Sequence, residues 1–288
     1  MGNDRVVVHS SSHADYGLDD LVRSRGDRRV AVCLPARNEA ATVGSIVACV
    51  HDVLTAAGGG ADLVDDVVVV DDGSEDGTAA AARDAGARVV RGPRRPGGKG
   101  QAMAVALEES DAEIVVFLDA DVENFGAHFV TGLLGPLLLP PPGPPAGTGR
   151  APEVALVKGF YARPLGADPD GGGRVTELVA RPLVDLLFPD LADVRQPLAG
   201  ETAAPRTVLD KTGLAPGYGV ELGLLVDVAG HFGVDHIAQV DLGVRVHRNR
   251  PLAELRVHAT EVLQAALARA PHGAGPGLGA WCGHRAGR

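Results

Sequence analysis

Two aspartates, Asp119 and Asp121, close an apolar run, Ile114-Val-Val-Phe-Leu118, that reads as a buried strand. Carboxylates so spaced at a strand end can converge on one hard divalent cation. Mg2+ or Mn2+ requires oxygen ligands and is commonly held by one or two carboxylates, with substrate phosphates completing the shell. A solvated turn would carry the same residues, so the motif alone does not choose between the two. Two other polar clusters follow apolar runs in the same way: Pro35-Ala36-Arg37-Asn38-Glu39, and Asp71-Asp72-Gly73-Ser74. Such groups suit hydrogen bonds to a base and a ribose. The alternative is ordinary turn chemistry, with Ser74 or Asp76 capping the next helix. Lys99 stands between glycines in Gly97-Gly98-Lys99-Gly100. A glycine loop presenting one lysine suits an anionic group, although Gly100 in place of Ser or Thr rules out a P-loop.

Further along, Arg245-Val246-His247-Arg248-Asn249-Arg250 sets one histidine among arginines. A neutral His247 imidazole would complete a metal site begun by Asp121, and the arginines suit phosphate oxygens. A basic surface strand end is the alternative. Gly173-Arg174-Val175-Thr176 offers an anion cradle at the start of an expected helix. Gly217-Tyr218-Gly219-Val220-Glu221 puts a carboxylate at the start of another, where Glu221 meets sugar hydroxyls or merely favours the helix dipole.

These residues need elements to hold them. Apolar runs at Val30–Leu34 (within a strand read over Arg29–Pro35), Val67–Val70 and Ile114–Leu118, with a further strand at Ala87-Arg-Val-Val90, alternate with helical patterns over 39–57, 78–85 and 101–110. Strands without a two-residue period, alternating with helices, imply a parallel sheet covered on both faces, with ligands at the carboxyl ends of the strands. Later elements are expected as a strand at 154–161, helices at 176–187 and 219–229, and a strand at 237–246. The expected organisation is an N-terminal extension (1–28), a nucleotide-binding α/β portion (29–139) and a Pro-rich connector (140–153). A portion carrying the later glycine-rich and basic motifs (154–270) and a flexible tail (271–288) follow.

With 45% hydrophobic residues the chain can bury a large core. A formal net charge of −10 argues against a nucleic-acid partner, which calls for a basic footprint. Cys33, Cys49 and Cys282 lack metal-ligand spacing, and Cys33 reads as a small core residue. No apolar run reaches the ~18 residues that span a bilayer, so no membrane association and a cytoplasmic location are expected.

In order along the chain, these motifs resemble the glucosyl-3-phosphoglycerate synthases, a retaining family of GT-A glycosyltransferases. The carriers are Val32-Cys-Leu-Pro-Ala36, Asp71-Asp-Gly-Ser74, Pro96-Gly-Gly-Lys-Gly100 and Asp119-Ala-Asp121. Val157-Lys-Gly-Phe-Tyr161, Gly173 to Pro182, Gln196 to Glu201, Ala215 to Glu221 and His247 to Arg250 continue the series. The resemblance implies a Rossmann-like GT-A fold, mainly parallel and flanked by helices, with a C-terminal acceptor-binding portion. It implies a homodimer transferring glucose from UDP-glucose to the 2-hydroxyl of 3-phosphoglycerate, with Mg2+ or Mn2+ and with retention. Pro35, Ala36, Arg37, Asn38, Glu39, Asp72, Lys99, Asp119 and Ala120 would contact the UDP-sugar, joined by Tyr218 to Glu221 and Arg245 to Arg250. Asp121 and His247 would bind the metal. Gly173, Arg174, Val175, Thr176 and Asn249 would hold the acceptor. Asp121, His247, Glu221 and Lys99 are the candidate catalytic groups. Related readings are a mannosyl-3-phosphoglycerate synthase, a glucosylglycerate synthase and a binding module without turnover. The chain departs from the family pattern at Ala120, often Ser, and at Ala36-Arg37-Asn38-Glu39-Ala40, commonly Ala-Leu-Asp-Glu-Glu.

Overall fold

The computed structural model describes residues 8–93, 97–139, 153–164, 172–247 and 252–271. β2 (Val30–Ala36) shows how the sequence builds the core: its successive side chains point to opposite faces, and both faces are apolar. Val30, Val32, Leu34 and Ala36 pack into one core with Val43, Ile46, Val47 and Val50 of α2 (Val43–Leu54). Ala31 and Cys33 pack into the other, with Ala102, Met103 and Ala106 of α4 (Lys99–Glu108). Each large aliphatic side chain so buried contributes about 1.5–3 kcal/mol. Cys33 is a core residue as expected: it is fully buried, and burial pushes its thiol up to about 12.

The remaining strands are β1 (His9–Ser12), β3 (Asp66–Asp71), β4 (Arg88–Arg91), β5 (Ile114–Phe117), β6 (Leu156–Ala162), β7 (Thr202–Pro205) and β8 (Ile237–Val244). They form one sheet in the order β1-β8-β6-β7-β5-β2-β3-β4. Every pairing is parallel except those of β7, which runs antiparallel to both β5 and β6. The remaining helices are α1 (Leu18–Arg25), α3 (Thr78–Asp84), α5 (His128–Leu138), α6 (Arg181–Leu187), α7 (Arg206–Thr212), α8 (Val220–Phe232) and α9 (Leu252–Arg269). No described helix is long and apolar enough to cross a membrane.

The fold corrects the expected organisation in one place. Residues 9–12 are not an appendage, because β1 pairs in parallel with β8 and closes one edge of the sheet. His-Ser-Ser-Ser has no apolar period to betray it, as suits a short, half-exposed edge strand. Strands from 29–139 and from 154–270 share this one sheet. Of the connector and tail, residues 140–152 and 272–288 lie outside the described residues.

β7 is the element that matters most for the site. Phe117 pairs with Thr202, so the amino end of β7 lies beside the carboxyl end of β5. One edge of the sheet therefore gathers the ends of β2, β3, β5 and β8 and the start of β7.

Candidate active site

At that edge one cleft brings together Pro35, Ala36, Arg37 and Glu39 from the end of β2 and Asp72 from the end of β3. Lys99 enters from α4, and Asp119, Ala120 and Asp121 from the turn after β5. Gly173, Arg174, Val175 and Thr176 line the same cleft, as do Tyr218, Glu221, Arg245 and His247. Asn38, Gly219, Val220 and Val246 do not reach its wall. Gly219 and Val220 are buried under α9, and the Val246 backbone is taken up by Glu123 and Asn124. Arg248, Asn249 and Arg250 lie outside the described residues.

The acidic turn is fixed from two sides. Thr42 Oγ1 donates to the Ala120 carbonyl at 2.6 Å, tying the turn to the start of α2. Val122 bridges His247, with Glu123 N–H donating to the Val246 carbonyl at 2.9 Å, so His247 is carried to the aspartates. Lys99 Nζ meets Asp119 Oδ1 and also Glu221 Oε1, the latter at 2.6 Å. Arg245 Nη2 stands 2.9 Å from Asp119 Oδ2 and 2.6 Å from Asp121 Oδ1.

The electrostatics follow from burial and from these pairs. Burial alone would push the Asp119 carboxyl up, but Lys99 and Arg245 hold it well below the carboxylate range. Burial alone would pull the Lys99 ammonium down, but Asp119 and Glu221 hold it well above the lysine range. Burial, reinforced by Arg245 and opposed by Asp121, pulls the His247 imidazole below its ordinary value. It is therefore neutral at neutral pH, with a lone pair to give. A metal fits this donor set: an aspartate, a neutral imidazole and a turn that already attracts a cation in the form of Arg245. Among the described residues, no three His, Cys, Asp or Glu side chains are close enough to hold a metal by themselves. Phosphate oxygens would have to complete its shell.

Three expected contacts have other work in this structure. The Asp72 carboxylate accepts from the Gly97 and Gly98 amides, each at 3.1 Å, and so pins the loop that carries Lys99. Asn38 takes a left-handed backbone (φ 57) and its Oδ1 accepts from Glu75 N–H at 2.8 Å, clasping the loops after β2 and β3. Asparagine tolerates that conformation better than most residues. Gly173, also left-handed (φ 74), leads into a π-helical turn at Thr176–Ala180 ahead of α6. Such turns recur at functional sites.

Some site residues escaped the sequence reading. α9 supplies Leu255, His258 and Val262 to the cleft, and His258 stacks on Tyr218 with ring centroids 3.6 Å apart. The run Leu255, Val262, Ala265, Ala266 has helical spacing and carried that signal. Beneath the turn, Lys158, Tyr161 and Glu201 form a buried polar layer against Arg245, which the sequence had already singled out. Its signal was the charged Lys158 inside an otherwise apolar strand. Tyr161 OH donates to Glu201 Oε2 at 2.6 Å, and burial pushes this phenol up to about 12, so it stays protonated. Lys158, pulled down to about 8 by burial, donates to the Ala199 carbonyl at 2.5 Å and supports the turn before β7.

That turn leaves no room for a side chain at Gly200 unless the ion pair shifts, because a Cβ built there overlaps Asp119 Oδ1 and Lys99 Nζ. Gly200→Ala must prise this ion pair apart. We expect it to lower kcat/KM for transfer by about 100-fold and to cost about 1–3 kcal/mol of stability from overpacking. Steady-state kinetics with a thermal melt will check this; wild-type kinetics would refute the crowding.

An open, mainly parallel sheet with acidic strand ends facing a helix-walled cleft defines the class: a glycosyltransferase of the GT-A type. Residues 31–138 match the model of glycosyl transferase family 2. The glucosyl-3-phosphoglycerate synthase of Mycolicibacterium smegmatis is 45% identical over 280 residues, 93% of this chain and 86% of that protein. The one from Petrotoga mobilis is 37% identical over 279 residues, covering 92% and 82%. Among solved structures, glucosyl-3-phosphoglycerate synthase from Mycobacterium tuberculosis with Mn2+, UDP-glucose and phosphoglyceric acid superposes with a TM-score of 0.78. Its identity is 42%, covering 92% of this chain and 89% of that one. The same enzyme with Mn2+, UDP and glucosyl-3-phosphoglycerate also gives 0.78, at 41% identity and the same coverage. This chain belongs to the glucosyl-3-phosphoglycerate synthase family.

Proposed function

We propose that this chain transfers glucose from UDP-glucose to the 2-hydroxyl of 3-phosphoglycerate with retention, using Mg2+ or Mn2+. The observation that carries the reading is the single cleft in which the acidic turn, His247, Lys99 and the Gly173–Thr176 cradle face one another. The ligands of the M. tuberculosis enzyme have the matching chemistry: a nucleotide sugar, a metal and an anionic acceptor. Asp121 and His247 hold the metal. When bound, it supplies Lewis-acid stabilisation of the diphosphate leaving group.

The remaining steps belong to this chain's side chains. Arg245 and Lys99 bring fixed positive charge to the leaving side, in a site that needs no reorganisation as charge develops. Arg174, the Gly173–Thr176 backbone and Asn249 orient the acceptor's carboxylate and phosphate. They present its hydroxyl on the leaving-group face, and the hydroxyl proton passes to the departing phosphate oxygen. No protein nucleophile is invoked. Glu221 is the carboxylate nearest that role, and it is buried and paired with Lys99, which blunts it as an attacking group. Asn38 serves the donor indirectly, by clasping the loops after β2 and β3, and Asp72 lines the donor's cleft while it pins the loop that carries Lys99. The substrates are phosphorylated and membrane-impermeant, which supports a cytoplasmic place of action. Homodimerisation is supported by Leu178, Leu186 and Leu267, more than 60% exposed on the neighbouring α6 and α9 regions.

The test crosses UDP-, ADP- and GDP-glucose with 3-phosphoglycerate, 2-phosphoglycerate and glycerate, with and without Mn2+. Nucleoside diphosphate release is expected to be greatest with UDP-glucose, 3-phosphoglycerate and metal together. Silence of every pair containing 3-phosphoglycerate would sink the assignment.

A further inference from the structure

Arg245 is 5% exposed and serves four oxygen-bearing groups at once. Above, Nη2 spans Asp119 Oδ2 at 2.9 Å and Asp121 Oδ1 at 2.6 Å. Below, Nη1 donates to Tyr161 OH at 2.5 Å and to Glu201 Oε2 at 3.2 Å. Glu201 is fully buried; its Oε1 lies 3.2 Å from Nη1 without the geometry of a hydrogen bond. The guanidinium is thus braced from beneath by a phenol and a carboxylate, and its backbone N–H is fixed to the Ala162 carbonyl at 3.0 Å. The guanidinium is therefore held against the aspartates from both ends.

The charges around it are already close to balance. Asp119, Asp121, Glu201 and Glu221 face Lys99, Lys158 and Arg245 within this one buried cluster. A divalent cation arriving alone must compete with a resident guanidinium and leaves the cluster with excess positive charge. A cation arriving with a diphosphate does not, because the phosphates take up the charge of both the cation and Arg245.

We propose that Arg245, braced by Tyr161 and Glu201, is a built-in counter-cation for Asp119 and Asp121 that competes with the divalent metal until a nucleotide diphosphate arrives. This rests on the assignment of Asp121 and His247 as metal ligands. The metal then binds weakly to the free protein and tightly with nucleotide, and each tightens the other by the same factor. Arg245 is in this respect a positioning and gating residue for the metal, beyond any contact it makes with phosphate.

The test is Mn2+ binding followed by loss of the free-ion EPR signal, with and without UDP and with no acceptor present. UDP should tighten Mn2+ binding by wild-type protein by roughly tenfold or more. Arg245→Met should bind Mn2+ roughly tenfold or more tighter than wild type without UDP, and should gain less from UDP. Arg245→Lys, which keeps the charge but not the fork that spans both sets of partners, should fall between wild type and Arg245→Met. Tyr161→Phe removes one brace and keeps the charge; it should shift Mn2+ affinity in the same direction as Arg245→Met by a smaller factor, and it decides the matter if Arg245→Met does not fold. Equal or weaker Mn2+ binding by folded Arg245→Met without UDP would overturn the proposal, as would a Lys variant that behaves like Met. If wild-type protein binds no Mn2+ even with UDP, the metal assignment itself falls, and the proposal with it.

Discussion

Asp121→Ala lowers kcat/KM for glucosyl transfer by about three orders of magnitude, while the protein stays folded. Both halves of this expectation come from the neighbours of Asp121. Its carboxylate meets Arg245 at 2.6 Å and sits beside the His247 segment, so it is the oxygen donor best placed to share a metal with that imidazole. Removing it leaves an imidazole and one aspartate already claimed by Lys99 and Arg245. Stability suffers less, by about 1 kcal/mol, because Arg245 keeps Asp119, Tyr161 and Glu201 as partners. Glu221→Gln is the informative companion. It releases Lys99 from one of its two carboxylates but removes no metal ligand, so its loss should stay near 100-fold or below. UDP-release kinetics over a range of Mn2+ concentrations, with a thermal melt of each variant, measure both effects. Asp121→Ala retaining a tenth of wild-type activity at saturating Mn2+ would contradict the assignment.

How much of this was legible in the sequence depends on which interactions fix each part. β2, β3 and β5 are buried on both faces, so they appear as unbroken apolar runs, and the polar residues after them could be read as a ligand edge. β1 and β7 could not be read that way. One is a polar edge strand; the other, Thr-Ala-Ala-Pro, is four residues whose strand character comes from pairing with β5 and β6. Because β7 went unseen, so did the consequence of its direction, which delivers Gly200 and Glu201 to the acidic turn. The fates of Asp72 and Asn38 were equally hidden. A carboxylate and an amide at strand ends look the same whether they meet a nucleoside or a neighbouring loop, and only the fold brings Gly97, Gly98 and Glu75 within reach. His247 is the opposite case. Sequence alone offered it as a partner of Asp121 at a metal or as part of a basic strand end, and its bridge to Val122 carries it to the aspartates.

Glu201→Ala should destabilise the protein more than the loss of any single exposed charge, by about 3–5 kcal/mol. Glu201 is fully buried and is the acceptor that Tyr161 and Arg245 share, at 2.6 Å and 3.2 Å. Without it the phenol keeps its contacts with Arg245 and Arg163 but loses the acceptor for its proton, and the guanidinium keeps only the two aspartates to balance its charge. Water cannot easily replace the carboxylate, because the side chain is fully buried. At roughly 2–4 °C per kcal/mol for a large domain, the melting temperature should fall by about 6–20 °C. Glu201→Gln preserves the shape and one acceptor oxygen while removing the charge, so its fall should be roughly half as large. The ordering of the two variants separates the contributions: equal falls would make charge the whole of the effect, and a negligible fall for Gln would make it hydrogen bonding alone. Melting within about 2 °C of wild type for Glu201→Ala would mean that the layer beneath the aspartates does not hold them in place.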